Sequence, residues 1–381
     1  MFKIILLLLF VLQPWYFGGA IRAEFLVIFV ALTVALIKKE TVFPWKTVCA
    51  VFFLAFLTLT ITVFSMEFDI SLFKKYVSLL FLVTGSVILV RVFDISKNDV
   101  INACKLVVLV SLLYYFLAVL FPFFREFSLS LKGETYGIEQ KLEVYRLWFP
   151  TSAHTFHLGL LFFSTTVIFL LEKQRSFWIV TSLICASIAA RSAMLASILV
   201  IFSYIIYKER KYIYVVILAI PLFIASIYYL SEQSMAAKYA LEPIIQLVET
   251  GKFGSKSSSD LIENHLYMPT EKQILVGDGR YVDAATGAFY GHSDSGIVRP
   301  LLYGGVLFQL VYLSLCLYFF RCFISYGLFG WFIIMLFFAM NVKAELITST
   351  PYLALLLILS EVSRNSNLKN KILEVNKADV N

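Results

Sequence analysis

Residues 177–206 form an almost unbroken apolar run interrupted only by Arg191. Basic clusters flank it, EKQR at 172–175 and KERK at 208–211. Cationic connectors favour the cytoplasmic side of a membrane. Both clusters then share one side, and the run must cross an even number of times. It therefore reads as a hairpin with Arg191 near its tip. Each arm of roughly 15 residues spans about 22 Å, short of the ~30 Å hydrocarbon core. Arg191 is thus expected just beneath the outer surface. A guanidinium there needs a partner anion or a water-filled cavity, unless its stem simply snorkels to the interface.

The rest of the chain has the same character. It is 60% hydrophobic, 15% charged and has a mean hydropathy of +0.85 over 381 residues. A soluble domain cannot hide that much apolar surface, so an all-α polytopic membrane protein is the expected class. Apolar segments fall near 3–18, 24–37, 47–65, 76–90, 106–124, 155–171, 177–190, 192–207, 212–230, 297–319, 323–340 and 347–362. About twelve transmembrane helices follow. The N-terminus resembles a signal peptide, but Gln13, Pro14 and Trp15 offer no cleavage site, so it reads as a retained first span.

With the N-terminus cytoplasmic, the short inner connectors and the tail hold just over half of the 32 Lys and Arg, among them Lys3, Lys38, Arg91, Lys97, Lys173, Lys208 and Arg364. That density bias orients the chain with both termini inside. The expected organisation is five helices in 1–124, a first long outer loop at 125–153 and four helices in 154–230. A large outer loop with amphipathic helices follows at 231–296, then three helices in 297–362 and a cytoplasmic tail at 363–381. The net charge of +7 is small for this length and gives no reason to expect nucleic acid.

Several chemistries are not encoded. No GxxxxGK[ST] loop, D-x-D pair or zinc spacing occurs, and the five cysteines show no CxxC. His154 and His157 share a helical face but have no evident third ligand. What remains is fixed positive charge on the outer side: Arg146, Arg191, Arg280 and Arg299. An arginine fork suits phosphate oxygens and stays charged when partly buried. Beside it, in GHSDSGIVRPLLYGG (291–305), stand one possible base, His292, and one carboxylate, Asp294. SDSG also suits a turn or helix start. Gly304 and Gly305 suit close helix packing. Lys343 and Glu345 are a candidate pair at the outer mouth of the last hairpin.

ILVGDGRY (274–281) followed by FYGHSDSGIVRPLLYGGVL resembles the loop-to-helix segment of Wzy-type O-antigen polymerases. AARSAMLASI (189–198) resembles the small-Arg-small hairpin of the wider O-antigen ligase and polymerase superfamily. That resemblance implies a metal-independent, inverting glycosyltransferase with a membrane-embedded fold of the C type and no cofactor. Its substrate would be an undecaprenyl-diphosphate-linked oligosaccharide at the periplasmic face of a bacterial inner membrane, with a chain-length regulator as a further partner. Arg191 and Arg280 map to diphosphate-binding arginines, with Arg299 and Arg146 beside them. His292 falls where related ligases place a histidine that assists the acceptor hydroxyl, with Asp294 as the alternative base. An O-antigen ligase acting on lipid A–core, and a flippase of lipid-linked oligosaccharides, are the competing expectations.

Overall fold

The computed structural model describes residues 1–16, 21–39, 45–65, 68–130, 155–212, 245–249, 261–283, 286–348 and 350–378, with positions 151, 214, 229, 242, 251 and 259. Its helices are α1 (Phe2–Leu12), α2 (Ala23–Lys38), α3 (Trp45–Phe64), α4 (Ser71–Val92), α5 (Lys97–Leu120) and α6 (Pro122–Ser130). They continue as α7 (Thr155–Leu171), α8 (Ser176–Ala189), α9 (Arg191–Lys208), α10 (Glu271–Leu275), α11 (Val298–Phe320), α12 (Gly327–Asn341) and α13 (Pro351–Ala378). Among the described residues, α3 from Thr47, α4, α5, α9 and the stretch Val298–Asn341 are long and apolar enough to cross a membrane. The chain is a helical membrane protein. The expected ninth span, 212–230, lies outside the described residues apart from Tyr212, Tyr214 and Tyr229.

The core is built around α7. Fifteen of its seventeen residues are buried, on every face, and it packs against α8, α9 and α13. Close approach depends on small side chains. Gly159 lies where an added Cβ would meet the Cβ atoms of Ala190 and Ala193 at 2.7 and 2.8 Å. Thr165 and Thr166 both hydrogen-bond the Ser182 hydroxyl of α8, at 2.5 and 3.0 Å. Small residues and hydroxyl contacts of this kind hold helices together where lipid removes the hydrophobic drive. Many large side chains on the outer helices stay exposed, such as Phe52, Phe53 and Phe56 of α3 and Leu113 and Phe116 of α5.

Contacts between connectors define the two ends of the bundle. At one end the Lys3 ammonium donates to the Asp94 carbonyl at 2.9 Å. Arg91 pairs with Glu361 and Lys97 with Glu172, both at 2.8 Å, while the Tyr326 hydroxyl reaches Glu172 at 3.4 Å. These are connectors that the charge bias places inside. At the other end Tyr281 meets both the α3–α4 connector and the α12–α13 connector, Gly296 meets the end of α12, and the start of α7 meets the α12–α13 connector.

The run 177–206 is a hairpin. Only Ala190, extended at φ −157°, separates α8 from α9. Trp178 at the start of α8 packs on Phe169, and Tyr207 at the close of α9 stacks on Phe329, so both lie towards the end that holds Tyr326 and Glu172. With 14 and 18 residues the arms are about 21 and 27 Å long.

Two local expectations change. The first helix stops at Leu12, well before residue 18. Gln13 turns left-handed at φ 50°, and the chain continues into a short antiparallel ladder of Trp15–Tyr16 with Ile21–Arg22. Gly304 does allow close helix packing, since a Cβ there would meet Ile61 Cδ1 of α3 at 2.8 Å, but Gly304 and Gly305 also have a second role. They break α11: Gly305 has φ 68° and ψ −166°. The turn VGDG (276–279) docks onto that break, its Asp278 and Gly279 amides donating to the Leu302 and Tyr303 carbonyls at 2.7 and 2.9 Å. A Cβ on Gly305 would meet the Leu275 carbonyl oxygen at 2.5 Å, so this contact requires glycine. The loop thus satisfies backbone groups that the broken helix leaves unpaired.

Candidate functional site

The segment that crosses this second end is fixed by Asp69, between α3 and α4. Its carboxylate accepts the Tyr281 and Val282 amides at 2.8 Å each and the Ser71 amide at 2.9 Å. Burial works against this charge, but the bonds from Ser71, Val282 and Tyr281 hold its pKa below the usual carboxylate value. Tyr303 of α11 is tied to α3 by hydrogen bonds to the Thr62 hydroxyl and the Thr58 carbonyl, both at 2.9 Å. α4, α11 and the 278–292 segment are thereby held together at one level.

At that level four polar side chains converge. Glu345, on the α12–α13 connector, is buried and accepts a hydrogen bond from the Tyr281 hydroxyl at 2.7 Å. The Lys75 ammonium of α4 lies 3.2 Å from the same carboxylate and also bonds the Tyr281 hydroxyl. Nε of Arg299, in the first turn of α11, is 3.8 Å from the other oxygen. The Arg299 guanidinium also stacks on aromatic rings, 3.5 Å from the Phe289 centroid and 4.1 Å from that of Tyr281. Burial alone would raise the Glu345 carboxyl, yet Arg299, Lys75 and the Tyr281 hydroxyl bring it down to about 2. Tyr281 is pushed well above its usual range, by burial first and then by the Glu345 charge. It therefore keeps its proton and donates.

Two cations thus face one carboxylate. At 3.8 Å, Arg299 is too far from Glu345 for a hydrogen bond. Among the described residues its Nε and Nη2 are buried without a hydrogen-bond partner. An unmet buried charged donor is costly, so this guanidinium is set up to receive an acceptor.

The expected site residues distribute unevenly around this cluster. Arg299 is inside it. Arg280 lies on the same segment, with its Cζ 5.5 Å from the Tyr290 ring. Arg191 is buried at the hairpin tip, as its position in the run implies, and forms an ion pair with Glu242. Arg146 and His154 lie outside the described residues. His292 is exposed at φ 54°, its amide bonded to the Phe289 carbonyl at 2.9 Å. Asp294 is also exposed, and its amide donates to His265 Nδ1 at 3.3 Å. In the turn just ahead of α11 the Ser295 hydroxyl, rather than Asp294, accepts the Ile297 amide, at 3.2 Å.

His157 links the first turn of α7 to the cluster: its Nε2 is 3.0 Å from the Glu345 carbonyl, so that nitrogen carries the proton. The suggested Lys343–Glu345 pair is replaced by Lys75 and Arg299, and Lys343 lies 5.9 Å from the Phe156 centroid. Lys75, Asp69 and Tyr281 did not stand out in the sequence. The Lys74–Lys75 pair at the edge of the fourth apolar segment was the only available signal. No family model matches the chain, and neither a curated protein nor a solved structure does.

Proposed function

We propose that the chain is a polymerase of lipid-linked saccharide repeat units, acting at the outer end of a twelve-span bundle whose termini both lie in the cytoplasm. Its substrate is an undecaprenyl-diphosphate-linked oligosaccharide in a bacterial inner membrane, and the product is an O-antigen or related surface polysaccharide. The supporting observation is the buried Arg299, with two N–H groups lacking an acceptor beside Lys75 and only one carboxylate between them. An anion at that depth, attached to an apolar tail among the helices, is chemically complementary to it.

In the proposed reaction an acceptor hydroxyl attacks the anomeric carbon, and the bond from that carbon to the diphosphate oxygen breaks with inversion. Lys75 and Arg299 stabilise the negative charge that builds on the departing diphosphate. His292 or Asp294, both exposed on the adjoining turn, takes the hydroxyl proton. The stacked rings of Phe289 and Tyr281 hold the guanidinium plane in one orientation, which reduces reorganisation during the step.

The glycan profile of a deletion strain tests this reading. Lipopolysaccharide capped with single repeat units is the expected result. Lipid-linked polymer accumulating above bare core would indicate a ligase instead, and loss of all exported material a flippase. Sidedness has its own test. A cysteine replacing Asp294 should react with an impermeant thiol reagent from outside, and one replacing Lys208 should not. The reverse labelling would invert the topology.

A further inference from the structure

We propose that Glu345 and the ligand's phosphate are interchangeable counter-ions of the Lys75–Arg299 pair, so that the ligand enters by exchanging with the Glu345 carboxylate. This rests on the lipid-diphosphate reading and adds how the site is held before the ligand arrives.

Without Glu345 the partly exposed Lys75 and the buried Arg299 would face each other with no anion between them. The carboxylate reaches Lys75 at 3.2 Å but stays 3.8 Å from Arg299, so it cannot satisfy both. A phosphate group offers more oxygens over a wider angle than a carboxylate. It can accept from Lys75 and from the unpartnered Nε and Nη2 of Arg299 together. The incoming anion therefore gains hydrogen bonds that the resident one leaves unmade.

The surroundings favour exchange by side-chain rotation rather than by loop opening. The Glu345 backbone is pinned on both sides. Its carbonyl meets His157 Nε2 at 3.0 Å, and the following Leu346 amide donates to the Tyr312 hydroxyl at 2.8 Å. The connector also packs closely on Gly296, where an added Cβ would lie 2.8 Å from the Glu345 Cα. The side-chain torsions are what remains to move. There is also a direction of entry: Lys75 is 35% exposed, against 4% and 5% for Glu345 and Arg299. An arriving anion meets Lys75 first and reaches Arg299 as the carboxylate withdraws.

The test uses the full chain purified in detergent, as wild type and as Glu345→Gln. The thermal midpoint is measured alone, with inorganic pyrophosphate and with farnesyl diphosphate. Without anion the variant should melt below wild type. Farnesyl diphosphate should then raise its midpoint by at least about twice the rise seen in wild type, because the ligand restores a missing counter-ion. Equal rises in the two proteins would overturn the exchange while leaving the lipid-diphosphate reading in place. A response to pyrophosphate with none to the lipid would support the exchange but remove the lipid reading. No response to either anion would remove both. A measurement on wild type covers the case in which the variant fails to fold. Carbodiimide modification of Glu345 should increase when farnesyl diphosphate is present, since the displaced carboxylate is then less tightly paired. Unchanged or reduced modification would contradict the exchange.

Discussion

The two ends of the bundle carry charge in different ways. At the end holding Lys3 and Glu361, cations and carboxylates meet in hydrogen-bonded pairs, with Arg91–Glu361 and Lys97–Glu172 at 2.8 Å. Their cationic partners are 26% and 52% exposed. The Lys97 pair is screened by solvent and contributes little, whereas Glu361 is itself buried and has Arg364 as a second cation at 3.7 Å. At the opposite end Lys75 and Arg299 converge on one buried carboxylate, and Arg299 keeps unmet donors. Stability alone does not account for that arrangement, because buried charges seldom repay their desolvation. The first end reads as anchorage and the second as a binding site.

Removing the buried guanidinium of the cluster should break this contrast most visibly. Arg299→Ala is expected to lower chain extension by about a hundredfold, the scale for losing a preorganised donor to a developing anion. Arg299→Lys should not restore it, because an ammonium neither stacks nor presents a fork. Extension of lipid-linked repeat units by protein of verified membrane level measures both. Lys75→Met leaves Glu345 and Arg299 as a neutral pair and should cost about tenfold, mostly in KM. Asp69→Ala should cost roughly fivefold, about 1 kcal/mol for hydrogen bonds that position Tyr281 without touching substrate. At the other end, Lys97→Ala should change stability by no more than about 1 kcal/mol, Arg91→Ala by more because it bares the buried Glu361, and both should leave extension unaltered. Loss of polymer from either inner-end variant would erase the distinction.

The smallest effect concerns pH. The Glu345 carboxyl is lowered from 4.5 to about 2. Its pairing is complete above 4.5 and is lost only as pH falls towards 2. Thermal midpoints of wild type and Glu345→Gln should therefore differ by a constant amount from neutral pH down to 4.5 and converge below it. Convergence already at neutral pH would mean that Glu345 is not held ionised by its neighbours.

Hydropathy and charge made the helices legible, because both act locally along the chain. The hairpin at Arg191 followed from two basic clusters and one interrupting charge. The ordering of Arg299 at the start of α11 was equally accessible. The partners of Arg299 were not, since Lys75 and Glu345 are distant in sequence and meet only through tertiary packing. The span beginning at residue 76 placed Lys75 in a connector, when it belongs to the first turn of α4. Gly304 and Gly305 were only half legible, for a related reason. Small residues serve helix packing and helix breaks alike, and only the docking of VGDG onto the break distinguishes the two.

The most direct test of the outer cluster is equilibrium binding of undecaprenyl diphosphate to the purified protein and to the Lys75→Met, Arg299→Met double variant, with helix content and oligomeric profile verified for each. Binding by wild type and at least a hundredfold weaker binding by the double variant is the expected result. Equal affinity in the two proteins would contradict the assignment of the diphosphate site to this cluster.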